Sequence, residues 1–303
     1  MKIFRTFLMA ACSAFMLASC CSAQQTECCA PADKDISIQL YSARDLVGNP
    51  ELYAENHERV LKALADMGYK SVEAANYNDG KFYGVAPEQF KADVEAAGLK
   101  VLSSHTGRGL SKENFESGDI SDALAWWDAA IPAHKAAGME YVVIPAIGKP
   151  ETLKDLQLIC DYFNAVGKKC NEAGMKFGYH NHAFEFEKVE DKVMLEYMIE
   201  NTDPAFVFYQ VDVYWAVYGH CSPADLFNKY PGRFALLHIK DKNEIGQSGM
   251  VGFDAIFNNA EVAGVEACVV EVEGSRGEDA LDAIRKSADY LRKAPFVKTS
   301  YGK

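Results

Sequence analysis

The chain has too few basic residues for a protein that binds nucleic acid. Its 303 residues include 31 Lys and Arg against 43 Asp and Glu, so the formal net charge is −12. A surface of this charge repels phosphate backbones, and nucleic acid is therefore excluded as a partner. The sequence also lacks a Gly-x-Gly-x-x-Gly segment and a P-loop, which removes the main support for a nucleotide-binding fold.

Cysteine is present, but not at the spacings of a metal-binding or disulfide framework. The nine cysteines include no Cys-x-x-Cys pair. Cys160 and Cys170 fall on one predicted helix, about 15 Å apart, which is beyond the reach of a disulfide. A domain of about 270 residues can bury a large core without such cross-links. Cysteine chemistry is therefore not expected.

The apolar run near the N-terminus, residues 7–17, is too short to cross a bilayer. It follows Lys2 and Arg5, as in an export signal. It ends in Leu-Ala-Ser-Cys at residues 17–20, which resembles the lipobox of bacterial lipoproteins. The resemblance implies cleavage before Cys20 and lipidation of its thiol. An ordinary signal peptide is the alternative.

These features divide the chain into a signal peptide (1–19), a lipidated tether (20–34) and a catalytic domain (35–303). We expect a protein anchored by lipid in the bacterial cell envelope, with the lipid as its only membrane contact. The periplasmic side is favoured, because no acidic run follows Cys20. The sequence leaves a homo-oligomer open.

From residue 36 onward, short β-rich runs alternate with segments of helical periodicity, which is the pattern of repeated βαβ units. Eight such repeats without a break in composition predict an α/β fold, a single (β/α)8 TIM barrel. An open doubly wound sheet is the alternative. The predicted strands are Ile36–Tyr41, Ser71–Ala75, Lys100–Ser104, Tyr141–Pro145, Lys176–Tyr179, Phe206–Val211, Phe234–Ile239 and Ala267–Val272.

Ionisable and polar residues stand at the carboxyl ends of these strands, where barrel enzymes place their chemistry. Alternation along a strand sorts them by face. If Val207 and Tyr209 face the helices, Gln210 and Asp212 face the barrel axis. The same reasoning turns four further residues inward: His238, Lys240, Glu271 and Glu273.

Four consecutive strands end in residues that bind metals: His180, Asp212, His238 and Glu271. Burying these charges together without a counter-ion would cost several kcal/mol each, and a divalent cation removes that cost. Imidazoles with carboxylates favour Mn or Zn, with Co, Fe or Mg as alternatives, over Ca. The residues expected to bind substrate around this metal site are His105, Gln210, Glu273 and Trp215.

The same residues carry a resemblance to the xylose-isomerase-like TIM barrel superfamily, the sugar phosphate isomerase/epimerase group. The opening segment 38–42 looks like that group's first strand, and segment 237–241 looks like its strand-7 motif. Asp212 and Glu271 match ligands of strands 6 and 8. The group usually has Glu at the end of strand 5, where this chain has His180, and a two-glutamate epimerisation is therefore put in doubt. The other base would then come from one of five residues: Glu73, His105, His182, Glu185 or Lys240.

The resemblance implies a divalent-metal-dependent isomerase or epimerase that abstracts a proton α to the carbonyl of a keto-sugar. We expect Glu271 or a nearby base to remove the proton and Lys240 or His182 to act as the acid, with Glu73 as a further catalytic residue. A hydratase or lyase of glycoside-derived 3-keto-sugar intermediates would use the same enolate chemistry. A non-catalytic sugar-binding lipoprotein is a third possibility. An abasic-site endonuclease is disfavoured by the acidic charge.

Overall fold

The computed structural model describes residues 33–302. The predicted signal peptide (1–19), the lipidation site Cys20 and the tether as far as residue 32 lie outside the described residues, so they remain predictions. Within the described part of the chain, no helix is both long enough and apolar enough to span a membrane.

Eight parallel strands close into a barrel, in which each strand pairs with its neighbours in sequence and the last pairs with the first. The predicted (β/α)8 barrel is confirmed, and all eight predicted strands are present with slightly different ends. The strands are β1 (Ser37–Gln39), β2 (Ser71–Ala74), β3 (Lys100–His105), β4 (Tyr141–Ile144), β5 (Lys176–His180), β6 (Val207–Asp212), β7 (Leu236–Lys240) and β8 (Ala267–Glu271).

Helices follow every strand and cover the outside of the barrel. Two 3-10 turns (Leu40–Ala43 and Phe184–Phe186) lie directly after β1 and β5. The helices are α1 (Arg44–Val47), α2 (Pro50–Asp66), α3 (Pro87–Ala96), α4 (Lys112–Ser117), α5 (Ser121–Ala136), α6 (Leu153–Glu172), α7 (Met194–Glu200), α8 (Val213–Tyr218), α9 (Pro223–Lys229), α10 (Phe253–Asn258), α11 (Ala260–Ala263) and α12 (Gly277–Lys293).

Local sequence signals explain where these helices begin and end. The Thr152 hydroxyl accepts a hydrogen bond from the Asp155 backbone N–H at 3.1 Å and caps α6. Pro87 and Pro223 occupy the first positions of α3 and α9, where the missing N–H leaves no bond unmade. After α6, Gly174 has a φ of 71°, the left-handed conformation that turns the chain back towards β5.

The amino-terminal end of the barrel interior is filled by apolar side chains: Tyr141, Val143, Phe208, Ala235 and Leu236. The Phe208 ring lies against Gly178 on β5, where an added Cβ would stand 2.5 Å from the ring. Only glycine leaves room for this packing. The ionisable residues of the predicted site lie at the carboxyl end, while the buried Ser37 and Ser71 hydroxyls bond each other at 2.6 Å nearer the amino end.

Strand register brings the predicted inward residues together at that end. Asp212 on β6 pairs with His238 on β7, and Lys240 pairs with Glu271 on β8. All four side chains are buried. The inward orientation predicted from alternation on these strands is confirmed.

Candidate active site

Asp212 ends β6 and begins the short helix α8. Its Oδ1 atom accepts a hydrogen bond from the Trp215 backbone N–H at 2.8 Å and caps the helix. Asn181, just beyond β5, accepts a hydrogen bond from the Asp212 backbone N–H at 3.1 Å. The other carboxylate oxygen, Oδ2, is buried without a hydrogen-bond partner and lies 3.5 Å from His238 Nδ1. Asp212 is thus held through one oxygen and open at the other.

His238 stands at the centre of the site, with its two ring nitrogens in different surroundings. Nε2 lies 3.2 Å from Glu73 Oε1. Because a carboxylate only accepts, this bond places a proton on Nε2, and Nδ1 is therefore the nitrogen that could bind a metal once the ring is neutral. Nδ1 lies 3.3 Å from Glu271 Oε2 and has no hydrogen-bond partner. Burial opposes a charged His238, but the carboxylates of Asp212 and Glu271 raise its pKa well above the ordinary value.

Glu73 is completely buried beneath His238, and both of its carboxylate oxygens are occupied. Gln39 donates to Oε1 at 2.8 Å, while Ser103 and Gln210 donate to Oε2 at 2.7 and 2.9 Å. Burial alone would raise the pKa of Glu73, but its histidine neighbours and hydrogen bonds lower it to about 2. Glu73 was predicted as a catalytic residue. Its contacts instead favour a positioning role, because no oxygen is left to meet a substrate.

His105 is bonded through both ring nitrogens. Nδ1 lies 2.8 Å from Gln39 Nε2, and Nε2 lies 2.6 Å from Gln210 Oε1. His105 and Gln210 were predicted to bind substrate. Their hydrogen bonds join them to Glu73 below the mouth. We call these five residues the inner network: Gln39, Glu73, Ser103, His105 and Gln210.

Lys240 lies at the mouth between two carboxylates. Its Nζ atom is 2.9 Å from Glu271 Oε2 and also pairs with Glu273. Burial would lower the pKa of Lys240, but the surrounding carboxylates raise it, so the group stays an ammonium. The same ammonium and His238 hold the pKa of Glu271 well below its usual range, against the effect of burial. Lys240 is therefore a buried proton donor next to an ionised carboxylate.

His180 is buried beside His238, with 4.7 Å between the ring centroids, and its Nδ1 has no hydrogen-bond partner. Burial lowers the pKa of His180 well below its ordinary value, so the imidazole is neutral. Its ligand atoms approach those of His238 and His105, while Asp212 and Glu271 form a separate group with His238. The role of His180 as a fourth ligand remains a prediction.

His182 and Trp215 line the wall next to Lys240. The His182 ring lies 5.7 Å from the Trp215 ring, and Lys240 Nζ lies 5.9 Å from the same ring. His182 Nδ1 has no hydrogen-bond partner, and burial lowers the pKa of this imidazole. The structure thus brings His182, Trp215, Lys240 and Glu273 together at one side of the mouth.

The donor atoms at this site fit a divalent cation. One atom from each of Asp212, His238 and Glu271 lies within 4.8 Å of the other two, and two of these atoms lack a hydrogen-bond partner. In formal charges, the three buried carboxylates of Glu73, Asp212 and Glu271 exceed the Lys240 ammonium and a protonated His238 by one, and by two when His238 is neutral and able to bind a metal. Such an excess of buried negative charge is costly unless a cation offsets it. We call the following five residues the open cluster: His180, Asp212, His238, Lys240 and Glu271.

The sequence reasoning missed several residues that support this site. Gln39 and Ser103 were not identified, although both are polar residues on predicted strands. Asn181, which stands between His180 and His182, was given no role. Glu185, by contrast, was among the candidate bases, and it is buried beside the site, where it accepts hydrogen bonds from the Tyr179 hydroxyl at 2.5 Å and the His182 backbone N–H at 2.9 Å. A polar residue between apolar neighbours on a strand is the signal that could have found Gln39 and Ser103.

A closed eight-stranded barrel with ionisable groups gathered at its carboxyl end is the architecture of the (β/α)8 barrel enzymes. Residues 61–294 match the family described as xylose isomerase-like TIM barrel. The chain belongs to this family, and the predicted resemblance is confirmed.

Solved and curated relatives fall into two chemical groups. A sugar phosphate isomerase/epimerase from Parabacteroides distasonis is 35% identical, with a TM-score of 0.78 over 89% of this chain and 97% of that chain. An inosose dehydratase from Salmonella typhimurium is 34% identical over 212 residues, 64% of this chain and 66% of the relative. An inosose dehydratase from Geobacillus kaustophilus is 25% identical over 65% of each chain. The match thus spans just under two thirds of the length of these curated relatives.

Proposed function

We propose that the chain is a divalent-metal-dependent enzyme that removes the proton α to the carbonyl of a keto-sugar and then expels a β-hydroxyl group as water. The observation that carries this proposal is the position of Lys240, whose ammonium group is buried 2.9 Å from Glu271 within a set of metal-binding donors. A protein that only binds sugar gains little from an acid buried beside a metal site. The relatives, all of them named as enzymes, support the same conclusion.

Asp212, His238 and Glu271 would hold the metal, with His180 as the predicted fourth ligand. Mn or Zn suits this mixture of imidazole and carboxylate donors best. When bound, the cation polarises the carbonyl group and stabilises the negative charge of the enolate.

The residues around the metal position divide the proton transfers between them. Glu271 already pairs with Lys240, whereas His182 Nδ1 has no partner, so His182 is the better candidate for the base. The base takes the α-proton, and the C–H electron pair becomes the new C=C bond of the enolate. The enolate then collapses, the β-C–O bond breaks, and the departing hydroxyl takes a proton from Lys240 to leave as water.

Elimination fits the site better than epimerisation, because the end of β5 carries His180 instead of a carboxylate. An imidazole nitrogen that binds a cation has no lone pair left to act as a base through that atom. The similarity to inosose dehydratases supports the same choice. Epimerisation is the second candidate, supported by the Parabacteroides relative and by His182 and Glu271 as two separate bases at the mouth.

The proposal is tested by incubating the protein and Mn²⁺ with a panel of free and 3-keto sugars in D2O. We expect solvent deuterium at the α-carbon and a product lighter by one water, followed by NMR and mass spectrometry. Clean interconversion of two epimers without loss of water would show that the enzyme is an epimerase and not a dehydratase. Absence of exchange with every sugar would contradict enolate chemistry altogether.

Two variants separate the steps. His182→Gln should slow deuterium exchange by roughly 10²- to 10⁴-fold, the usual effect of losing a general base. Lys240→Met should spare exchange and block the loss of water. Lys242→Met removes the same charge from an exposed lysine nearby and should change neither step. Equal loss of exchange in both Lys variants would show an effect of charge alone.

Anchoring by a lipid at Cys20 and a periplasmic position belong to this proposal. A location outside the cytoplasm favours non-phosphorylated keto-sugars as substrates, since sugar phosphates are cytoplasmic metabolites.

A further inference from the structure

Exposed apolar side chains are concentrated at the mouth of the barrel. Four large hydrophobic side chains of the described residues are strongly exposed: Tyr41, Tyr218, Met250 and Val262. The first three lie in segments that follow β1, β6 and β7, at the carboxyl end, and only Val262 on α11 lies elsewhere. Exposed apolar groups collected around a site mark a binding surface more often than scattered ones do.

The most exposed of these side chains, Tyr218, belongs to a cluster of three aromatic rings on α8. Trp215 lies 5.2 Å from Tyr214 and 5.6 Å from Tyr218, between ring centroids. Tyr214 and Tyr218 are 6.1 Å apart. We call Tyr214, Trp215 and Tyr218 the aromatic wall. Tyr218 is 56% exposed at its outer end, while Trp215 is partly buried.

The inner end of the aromatic wall is part of the candidate active site. Lys240 Nζ stands 5.9 Å from the centre of the Trp215 ring. A sugar ring placed between Lys240 and His182 would therefore already lie against Trp215. Tyr218 lies beyond Trp215, towards solvent, and a single sugar ring at Lys240 would not require contact with it.

The aromatic wall is held in place by contacts at both ends of α8. Asp212 caps its first turn through the Trp215 backbone N–H. At the other end, Gly219 packs so closely on the segment after β5 that an added Cβ would lie 2.6 Å from the Phe186 ring. A surface that is rigid before binding loses little conformational entropy when a ligand stacks on it.

We propose that the aromatic wall binds the outer group of a glycoside, an aglycone or a second sugar, whose oxidised ring lies at Lys240. The inference rests on the proposed function and narrows its substrate class from free keto-sugars to keto-glycosides. Aromatic and sugar rings both present a flat apolar face, and stacking of the outer group on Tyr218 adds affinity beyond that of the reacting ring against Trp215.

The test compares two ligands that differ only in the outer group, methyl and phenyl β-D-glucopyranoside. Neither has a carbonyl group, so neither is turned over, and dissociation constants can be measured by calorimetry with the Mn²⁺-loaded protein. We expect the phenyl glycoside to bind about 3- to 10-fold more tightly, the range of one aromatic contact. Tyr218→Ala should bring the ratio close to one and leave the methyl glycoside unaffected.

Two controls complete the test. Tyr218→Phe keeps the ring and should keep the phenyl preference, and Val262→Ala removes an exposed apolar group away from the mouth and should change nothing. A phenyl preference that survives Tyr218→Ala, or that is absent from the wild type, overturns the inference while α-proton exchange in D2O still stands. A phenyl preference that depends on Tyr218, without any α-proton exchange, would support the glycoside-binding site but contradict the proposed function. Failure of both glycosides to bind overturns the inference.

Discussion

The inner network and the open cluster are adjacent in the barrel, yet they differ in how their polar atoms are paired. In the inner network, both oxygens of Glu73 and both nitrogens of His105 have partners. In the open cluster, Nδ1 of His180, Nδ1 of His238 and Oδ2 of Asp212 have none. Buried polar atoms nearly always have hydrogen-bond partners. The atoms without partners in the open cluster, next to the fully paired inner network, therefore indicate where a ligand would bind.

His238 connects the two regions and shows what each contributes. Its Nε2 belongs to the paired layer through Glu73, and its Nδ1 belongs to the unpaired layer above. A bonded carboxylate on one nitrogen fixes the ring and makes the other nitrogen a better ligand. Under the proposed function, the inner network would orient the site and the open cluster would perform the chemistry.

The largest effect is expected from Asp212→Asn, which keeps the oxygen that caps α8 but removes the charge. Mn²⁺ affinity should fall by about 100-fold or more, above the effect of losing a residue that only supports a ligand, and activity should fall with it. Elemental analysis and calorimetry measure the bound metal. Asp225→Asn makes the same change on the exposed face of α9 and serves as control. Full metal occupancy in Asp212→Asn would show that the open cluster is not the metal site.

A smaller effect on the metal is expected from Glu73→Gln, which tests whether the inner network acts through His238. The glutamine amide can accept hydrogen bonds only through its one oxygen. The hydrogen bond from His238 Nε2, which orients the His238 ring, is therefore weakened. Mn²⁺ affinity should fall by about 10- to 100-fold, as for other residues that support metal-binding histidines. Thermal unfolding is measured alongside. A lower melting temperature with unchanged Mn²⁺ affinity would make Glu73 a purely structural residue.

The smallest effect concerns Glu185, a paired carboxyl group beside the open cluster. Burial raises the pKa of Glu185 from 4.5 to about 7, against its hydrogen bonds. Between these values the folded protein holds a proton that the unfolded chain has lost, so this stabilisation is complete below pH 4.5 and disappears as the pH rises through 7.

Glu185→Gln should therefore match the wild type at pH 5 and be more stable at pH 8, by up to about 3 kcal/mol. Urea unfolding at the two pH values measures the difference. Glu187→Gln, at an exposed position two residues further on, should show no such dependence. Equal effects of Glu185→Gln at both pH values would show that Glu185 is not the group that holds this extra proton in the folded protein.

The architecture of the barrel could be predicted because it depends on patterns that are local in sequence. Strand-length apolar runs, helical periodicity and glycine at helix ends located all eight strands. Alternation on β6, β7 and β8 also identified which residues point inward, including Asp212, His238 and Glu271. These inferences need only the period of a strand and the direction of a parallel sheet.

The division between paired and unpaired polar groups could not be predicted in the same way. Whether Gln210 meets a sugar or Glu73 depends on which inward side chains face one another across the barrel. That choice is fixed by strand stagger and by the register shift between Val72 and Glu73 on β2. A periodic pattern contains neither quantity, so it could not reveal that His105 and Gln210 bond each other and the residues around Glu73. Their contact with a substrate stays a prediction.

Asp212 has a further consequence, because its two oxygens serve different neighbours. Oδ1 holds the first turn of α8, which carries the aromatic wall, and Oδ2 faces the metal position. A carboxylate group is planar and rigid. An interaction that moves one of its oxygens therefore also moves the other. If both bind as proposed, metal and glycoside are linked ligands: the factor by which the cation raises glycoside affinity equals the factor by which the glycoside raises cation affinity. The barrel mouth would then respond to the two together and discriminate against either one alone.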